Sequence, residues 1–187
     1  MDHTDLIQRI LAGEHRAFGL LVERYQHMVY TVCIRVLGNA QDAEEAAQDA
    51  FVKAHRNLRS FNGRSKFSTW LYTIAYRCAV SRGRQRRKQT EALDDLAVPP
   101  VAARGDGLHQ QDMRQHLDQA LRQLTPEESA ILTMHYLDEL SVVEIVTITG
   151  LRASNVKVRL FRARKRLGSA LNTQLDGAAH QLLLTDA

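Results

Sequence analysis

One period runs through almost the whole chain. Between Phe18 and Val36 the apolar residues are Phe18, Leu21, Val22, Tyr25, Met28, Val29, Val32 and Val36, and Gly38 closes the stretch. Side chains at this three-and-four spacing share one face of an α-helix, and that face needs a partner surface. The same spacing recurs in Ala43, Ala46, Ala47, Ala50, Phe51 and Ala54, between Asp42 and Leu58. An alanine face lets two helices approach closely. It recurs again in Phe67, Trp70, Leu71, Ile74 and Cys78, and in Met113, Leu117, Ala120, Leu121 and Leu124. A short segment from Leu6 to Ala12 stops at Gly13. No stretch alternates with period two, so there is nothing from which to build a sheet. The predicted fold class is all-α.

The period fails once. Residues 89–112 contain Pro99, Pro100, Gly105 and Gly107 and repeat nothing, as a flexible linker does. The chain is therefore expected to form two small helical domains, 1–88 and 113–172, with a tail over 173–187 that frays after Asn172. In that tail, Leu182 to Leu184 could dock on something. Two helix starts in the second domain are written in the sequence. "TPEE" offers Thr125 as N-cap, Pro126 at the first helical position and Glu128 to close a capping box. "SVVE" repeats the device with Ser141 and Glu144, ahead of Gly150.

Net charge is only +4 over 187 residues, so the distribution of charge matters more than its total. Six cations and no acid lie between Arg77 and Lys88, and seven cations and no acid between Arg152 and Arg166. Two basic clusters on two helices suit two contacts with a polyanion; two solvated helix faces would leave the same pattern. Cys33 and Cys78 stand far apart within apolar patterns. They read as small buried hydrophobes in a reducing compartment, with no metal site. No P-loop, no G-x-G-x-x-G and no carboxylate with a His or Cys partner at a revealing spacing occurs, so neither catalysis nor a cofactor is expected. No long apolar run or signal-like segment opens the chain, so a cytoplasmic protein without membrane insertion is expected.

The stretch "LSVVEIVTITGLRASNVKVRLFRARKRL", Leu140 to Leu167, joins a capped short helix, a Gly turn and a basic helix. That is a helix-turn-helix candidate. On the last helix Val156, Leu160, Ala163 and Leu167 fall on one face. Ser154, Val158, Phe161 and Lys165 fall opposite, flanked by Lys157 and Arg162. In a major groove, apolar atoms meet thymine methyls while Arg or Lys reads guanine edges. A generic basic helix ending a bundle, with Phe161 packed on the linker, is the plainer alternative.

Two features of the first domain have alternatives as well. "FNGRSKFSTWLYTIAYRCAVSRGRQRRK" combines the core stripe Phe67, Trp70, Leu71, Ile74, Cys78 with Tyr72, Thr73, Tyr76 and Arg77 off that stripe. The loop Asn62 to Lys66 precedes it, with Ser65 as N-cap. Asp42, Glu45 and Asp49 share one face of their helix, and would repel nucleic acid. That face either meets another partner or is a solvated face whose acids favour the helix dipole.

These segments resemble bacterial RNA polymerase sigma factors. "DAEEAAQDAFVKAHRNLRSF" followed by "SKFSTWLYTIAYRCA" resembles the sigma region 2 domain, and Leu140 to Leu167 the region 4 domain. Both in this order, in a short chain with no recognisable region 3, resemble the extracytoplasmic-function (ECF) subgroup. The likeness covers roughly residues 10 to 170. It implies a factor that binds core RNA polymerase and directs promoter-specific initiation. Region 4 would read the −35 element through Ser154, Asn155, Lys157, Val158, Arg159, Phe161, Arg162 and Lys165. Region 2 would read and open the −10 element through Asn62, Gly63, Arg64, Ser65, Lys66, Phe67, Tyr72, Thr73, Tyr76 and Arg77. A flipped base costs a few kcal/mol, which a pocket and stacking return; the cations Arg82 to Lys88 would hold phosphates. Asp42, Glu45, Gln48 and Asp49 would meet the clamp coiled coil of the polymerase largest subunit, with the polymerase flap as a further contact. The resemblance also implies an anti-sigma factor, stress-responsive control and no small-molecule substrate. The chain departs from the family in three places. Arg152 stands where a capping Ser is usual, so the cap passes to Ser154. Val146 stands where a small residue is common. Thr73 and Ile74 replace the Trp pair of primary sigma factors, which implies weaker melting and stricter promoter choice.

Overall fold

A computed structural model describes residues 3–14, 16–91, 117 and 119–185. Its helices are α1 (His3–Leu11), α2 (Ala17–Leu37), α3 (Ala40–Arg56), α4 (Phe67–Glu91), α5 (Pro126–Tyr136), α6 (Val142–Thr149) and α7 (Ala153–Thr185). A 3-10 turn spans Leu58–Ser60, and residues 119–122 are also helical. No strand occurs among the described residues.

The helix ends follow local chemistry. Gly38 and Gly150 lie in the left-handed region at φ 75° and 73° and close α2 and α6, a conformation that suits glycine. Both predicted capping boxes are present, at Thr125/Glu128 and Ser141/Glu144. Elsewhere the ends move. Helix α3 begins two residues before Asp42, because the Asn39 side chain accepts the Asp42 N–H at 2.8 Å and caps it. Helix α4 begins at Phe67, so Lys66 and not Ser65 holds the cap position, and Lys66 O accepts the Trp70 N–H. Helix α7 begins at Ala153 with Arg152 O accepting the Val156 N–H, so Ser154 lies inside the first turn and does not cap. Helix α4 runs to Glu91, into the segment read as linker; residues 92–112 lie outside the described residues. The tail expected to fray continues α7 to Thr185.

Helices α2, α3 and α4 form a three-way bundle, with α1 against α2. Ala43, Ala46, Ala50 and Ala54 are all at most 1% exposed where α3 meets its neighbours. The second unit, α5 to α7, does not stand apart. Helix α5 packs on α2, and α6 packs on α4. One apolar cluster therefore runs from Leu6 through Val29, Val32 and Leu71 to Ile131, Met134, Ile145, Val156 and Leu160. A smaller cluster of Leu121, Leu124, Leu132 and Ala163 belongs to the second unit alone.

Consequently α4 is buried on two sides. Of the predicted stripe, Phe67, Leu71 and Cys78 are buried and Trp70 and Ile74 half-buried; Ala75 is buried as well. So are Thr69, Tyr72 and Tyr76, at 2%, 1% and 8% exposure; the periodicity placed Tyr72 and Tyr76 off the core. Burial pushes the Cys33 thiol up to about 12, and burial also raises Cys78. Both are inert thiols at neutral pH.

The alanine face has a measurable consequence. Ala50→Leu should overpack α3 against the bundle and cost about 1–3 kcal/mol. The expected result is a lower urea midpoint with an unchanged slope. An unchanged midpoint would mean that the face has room to spare.

Candidate nucleic-acid interface

Helix α7 presents two faces. Val156, Leu160 and Ala163 are at most 5% exposed and seat the helix on the core. On the far side Val158 is 45% and Phe161 63% exposed. Ser154, Asn155, Lys157, Arg162 and Lys165 are exposed on the same helix. Two apolar side chains thus stand in solvent among cations, on a helix that follows a tight glycine turn. This is the face that the periodicity predicted.

Arg159 and Arg166 are arranged differently. Arg159 Nη1 hydrogen-bonds Glu127 Oε2, and Arg166 Nη1 meets Glu128 Oε2 at 2.7 Å. Arg159 is half-buried and paired with a protein carboxylate, unlike the exposed cations Lys157, Arg162 and Lys165. Sequence reasoning found Glu128 only as a capping residue and passed over Glu127.

The loop before α4 is open. Asn62, Gly63, Arg64, Ser65 and Lys66 are all exposed. Asn62 Oδ1 accepts the Arg64 N–H at 3.1 Å, and Gly63 takes φ 71°, a bend that only glycine adopts without strain. Phe67 is different: 4% exposed, its ring lies 5.5 Å from both Phe61 and Trp70 and 5.6 Å from Tyr25. It anchors the loop and is not available to a base.

Tyr72, Thr73, Tyr76 and Arg77 do not form one open platform. Tyr72 Oη donates to Asp138 Oδ2 at 2.9 Å across the seam between the two units. Thr69 Oγ1 meets Glu144 Oε1 at 3.3 Å, and Lys66 Nζ lies 3.7 Å from the same carboxylate. Thr73 is half-buried and bonds back to Thr69 O. Tyr76 is buried, and burial followed by the charge of Glu127 raises its phenol. Arg77 stays exposed. With Arg84 it borders an open cleft of about 500 Å³ between α4 and Thr149. The seam residues Thr69, Asp138 and Glu144 were not predicted, because no periodic signal marks a contact between distant segments.

The acidic face of α3 is partly neutralised from within. Asp42 Oδ1 accepts from Arg82 Nε at 2.7 Å, Asp42 Oδ2 lies 3.2 Å from Arg86 Nη1, and Arg82 also reaches Glu45. So Arg82 and Arg86, expected among the phosphate-holding cations, face carboxylates instead. Arg84 and Arg87 are exposed. Gln48 and Asp49 remain exposed on α3.

An all-α chain with a basic helix-turn-helix behind a loop-and-aromatic bundle defines a class of DNA-reading protein, and known proteins narrow it. Residues 21–89 match the model for sigma-70 region 2, and residues 114–167 that for sigma-70, region 4. The RNA polymerase sigma-H factor of Pseudomonas aeruginosa is 33% identical over 181 residues, covering 91% of this chain and 94% of that one. The ECF RNA polymerase sigma factor SigW of Bacillus subtilis is 32% identical, covering 88% and 94%. The ECF RNA polymerase sigma-E factor of Escherichia coli is 33% identical, covering 87% and 90%. Two solved structures share the fold at 23% identity. The sigma factor RpoE with the anti-sigma factor NepR from Bartonella quintana has a TM-score of 0.66, covering 83% of this chain and 96% of that one. CnrH with the cytosolic domain of CnrY has a TM-score of 0.62, covering 90% and 96%. The chain belongs to the ECF sigma factors, the promoter-directing subunits of bacterial RNA polymerase. No helix among the described residues is long and apolar enough to cross a membrane.

The α3–α4 pairing makes stability depend on pH. Partial burial pulls the Asp42 carboxyl up. Hydrogen bonds from Arg82 and Asn39 and the charges of Arg82 and Arg86 outweigh it, and the carboxyl ends below its usual value. A depressed carboxyl contributes stability above its unfolded pKa and loses it as pH falls through the folded one. Asp42→Asn should therefore lower the melting temperature at neutral pH, and the gap to wild type should close on acidification. A gap that stayed constant with pH would rule out the charge as its origin.

Proposed function

We propose that α7 reads the −35 element through Ser154, Asn155, Lys157, Val158, Phe161, Arg162 and Lys165. The carrying observation is the exposure of Val158 and Phe161 among these cations, opposite a buried stripe. The apolar pair suits thymine methyls, and Arg162 suits a guanine edge. The exposed loop Asn62 to Lys66 reads the opened −10 strand, with Arg77, Arg84 and Arg87 toward phosphates. Thr73 lines the same path. Tyr72 and Tyr76 join it only when the second unit leaves α4, because the seam covers both rings. Gln48 and Asp49 carry the contact with the clamp of core polymerase, beside the internally paired Asp42 and Glu45. The factor acts in the cytoplasm, has no catalysis of its own, and is held by an anti-sigma factor. The similar RpoE and CnrH structures are complexes with NepR and with the cytosolic domain of CnrY, which supports that partner class.

Reconstitution tests this. The chain added to bacterial core polymerase should give initiation at a defined promoter, and no added initiation would sink the reading. Arg162→Ala should cost about 1–3 kcal/mol at one −35 base pair. Full retention of the preference for that base would misassign the face. Exchanging residues 62–66 for those of another ECF factor should change the preferred −10 base and leave −35 binding alone. Gln48→Lys with Asp49→Lys should slow association with core polymerase, with the loss shrinking at high salt.

A further inference from the structure

Helix α7 is held against α5 by two acid–arginine pairs, and they share one geometry. Arg159 and Arg166 are seven residues apart, so they lie about two turns and 10.5 Å apart along one side of the helix. Both reach the first turn of α5, where Glu127 and Glu128 are adjacent. That side flanks the buried stripe Val156–Leu160–Ala163 and lies well away from Val158 and Phe161. The Glu128 carboxylate is itself fixed. Its side chain is 8% exposed, and Oε2 also accepts from Thr125 N–H at 3.3 Å and Thr125 Oγ1 at 3.1 Å. The capping box thus anchors the acid that grips Arg166.

We infer that Glu127 and Glu128 are positioning residues that set the rotation of α7 about its own axis, and with it base discrimination at −35. The inference rests on the −35 reading proposed above. A smooth apolar stripe resists removal of the helix from the core better than it resists rolling. Side-chain tips lie about 5–6 Å from a helix axis, so a roll of about 20° moves them by roughly 2 Å, enough to break a hydrogen bond. Two grips on one side oppose that roll. They have a second effect: they withhold two guanidinia from DNA phosphates. An exposed pair such as Arg159–Glu127 contributes little to stability, so that pair matters more for orientation than for folding.

The two effects give a signature that loss of folding cannot imitate. The full-length chain, its Glu127→Gln variant and its Glu127→Gln/Glu128→Gln variant are each used to select duplexes from a random pool. Binding to a selected and to a scrambled duplex is then titrated against salt. Gln preserves the capping box, and Glu127 is exposed, so the single variant tests the idea even where the double folds poorly. The expected result is a loss of about fivefold or more in the selected-to-scrambled ratio, the size of one weakened base contact. Affinity for scrambled duplex should hold or rise, with a salt slope steeper by up to about 0.9 per guanidinium released. The exchange Glu127→Arg with Arg159→Glu should restore the ratio lost in Glu127→Gln. An unchanged ratio in Glu127→Gln would overturn the inference and leave the −35 reading standing. So would a loss of affinity for the scrambled as well as the selected duplex. If the wild-type chain selects no duplex sequence, the −35 reading fails and takes the inference with it.

Discussion

The hydrogen bond from Tyr72 to Asp138 sits where the two halves of the molecule depend on each other. Helix α4 gives one side to α2 and α3, and its other side would be left bare if α6 and the turn before it, with Asp138, did not cover it. Covering it brings a carboxylate into a poorly solvated seam, which is costly without a donor. Burial raises the Asp138 carboxyl, and the Tyr72 hydroxyl offsets part of that rise. The same burial, with Asp138 beside it, raises the Tyr72 phenol. A carboxyl raised on docking contributes most below its undocked pKa and loses that contribution as pH rises through the docked one. The Tyr72–Asp138 pair thus favours the seam most in acid. Glu144, which meets Thr69 and Lys66 across the same seam, is held below its usual value and acts in the opposite sense, as Asp42 does between α3 and α4.

The seam also bears on the two surfaces proposed to read DNA. The face of α7 with Val158 and Phe161 and the loop Asn62 to Lys66 are open as the molecule stands, while Tyr72 and Tyr76 are not. A duplex can therefore be met by α7 before α4 is fully uncovered. Glu144 illustrates how closely the two are linked. One carboxylate closes the capping box of α6, the first helix of the helix-turn-helix, and also accepts from Thr69 of α4. Separation of the units costs that second bond but leaves the cap.

Much of the architecture was legible in the sequence, because helix period, glycine stops and capping boxes are all local. The stripe on α2, the alanine face of α3, both capping boxes and the two faces of α7 follow from spacing alone. What failed to show is non-local. Tyr72 and Tyr76 lie off one core stripe because they belong to a second contact, with residues more than fifty positions away. A helix buried on two sides has no single apolar face to detect. Helix starts were missed where the chain supplied an unexpected cap, as at Asn39, or ordinary backbone, as at Lys66 and Arg152.

Charge was the least legible property. Runs of like sign suggested an acidic surface for a protein and basic surfaces for DNA. Part of each run is instead spent inside the molecule: Asp42 and Glu45 on Arg82, Glu127 on Arg159, Glu128 on Arg166. Pairing does not cancel the functional reading; it sharpens it. When Arg82, Arg86, Arg159 and Arg166 are set aside, the exposed cations on α4 and α7 include Arg77, Arg84, Arg87, Lys157, Arg162 and Lys165. Lys157, Arg162 and Lys165 flank the face bearing Val158 and Phe161, while Arg77, Arg84 and Arg87 lie along α4 beyond the loop. On the proposed reading, internal pairing keeps from DNA the arginines that sit beside the core. It leaves for DNA the cations on surfaces that can reach a groove without disturbing the fold.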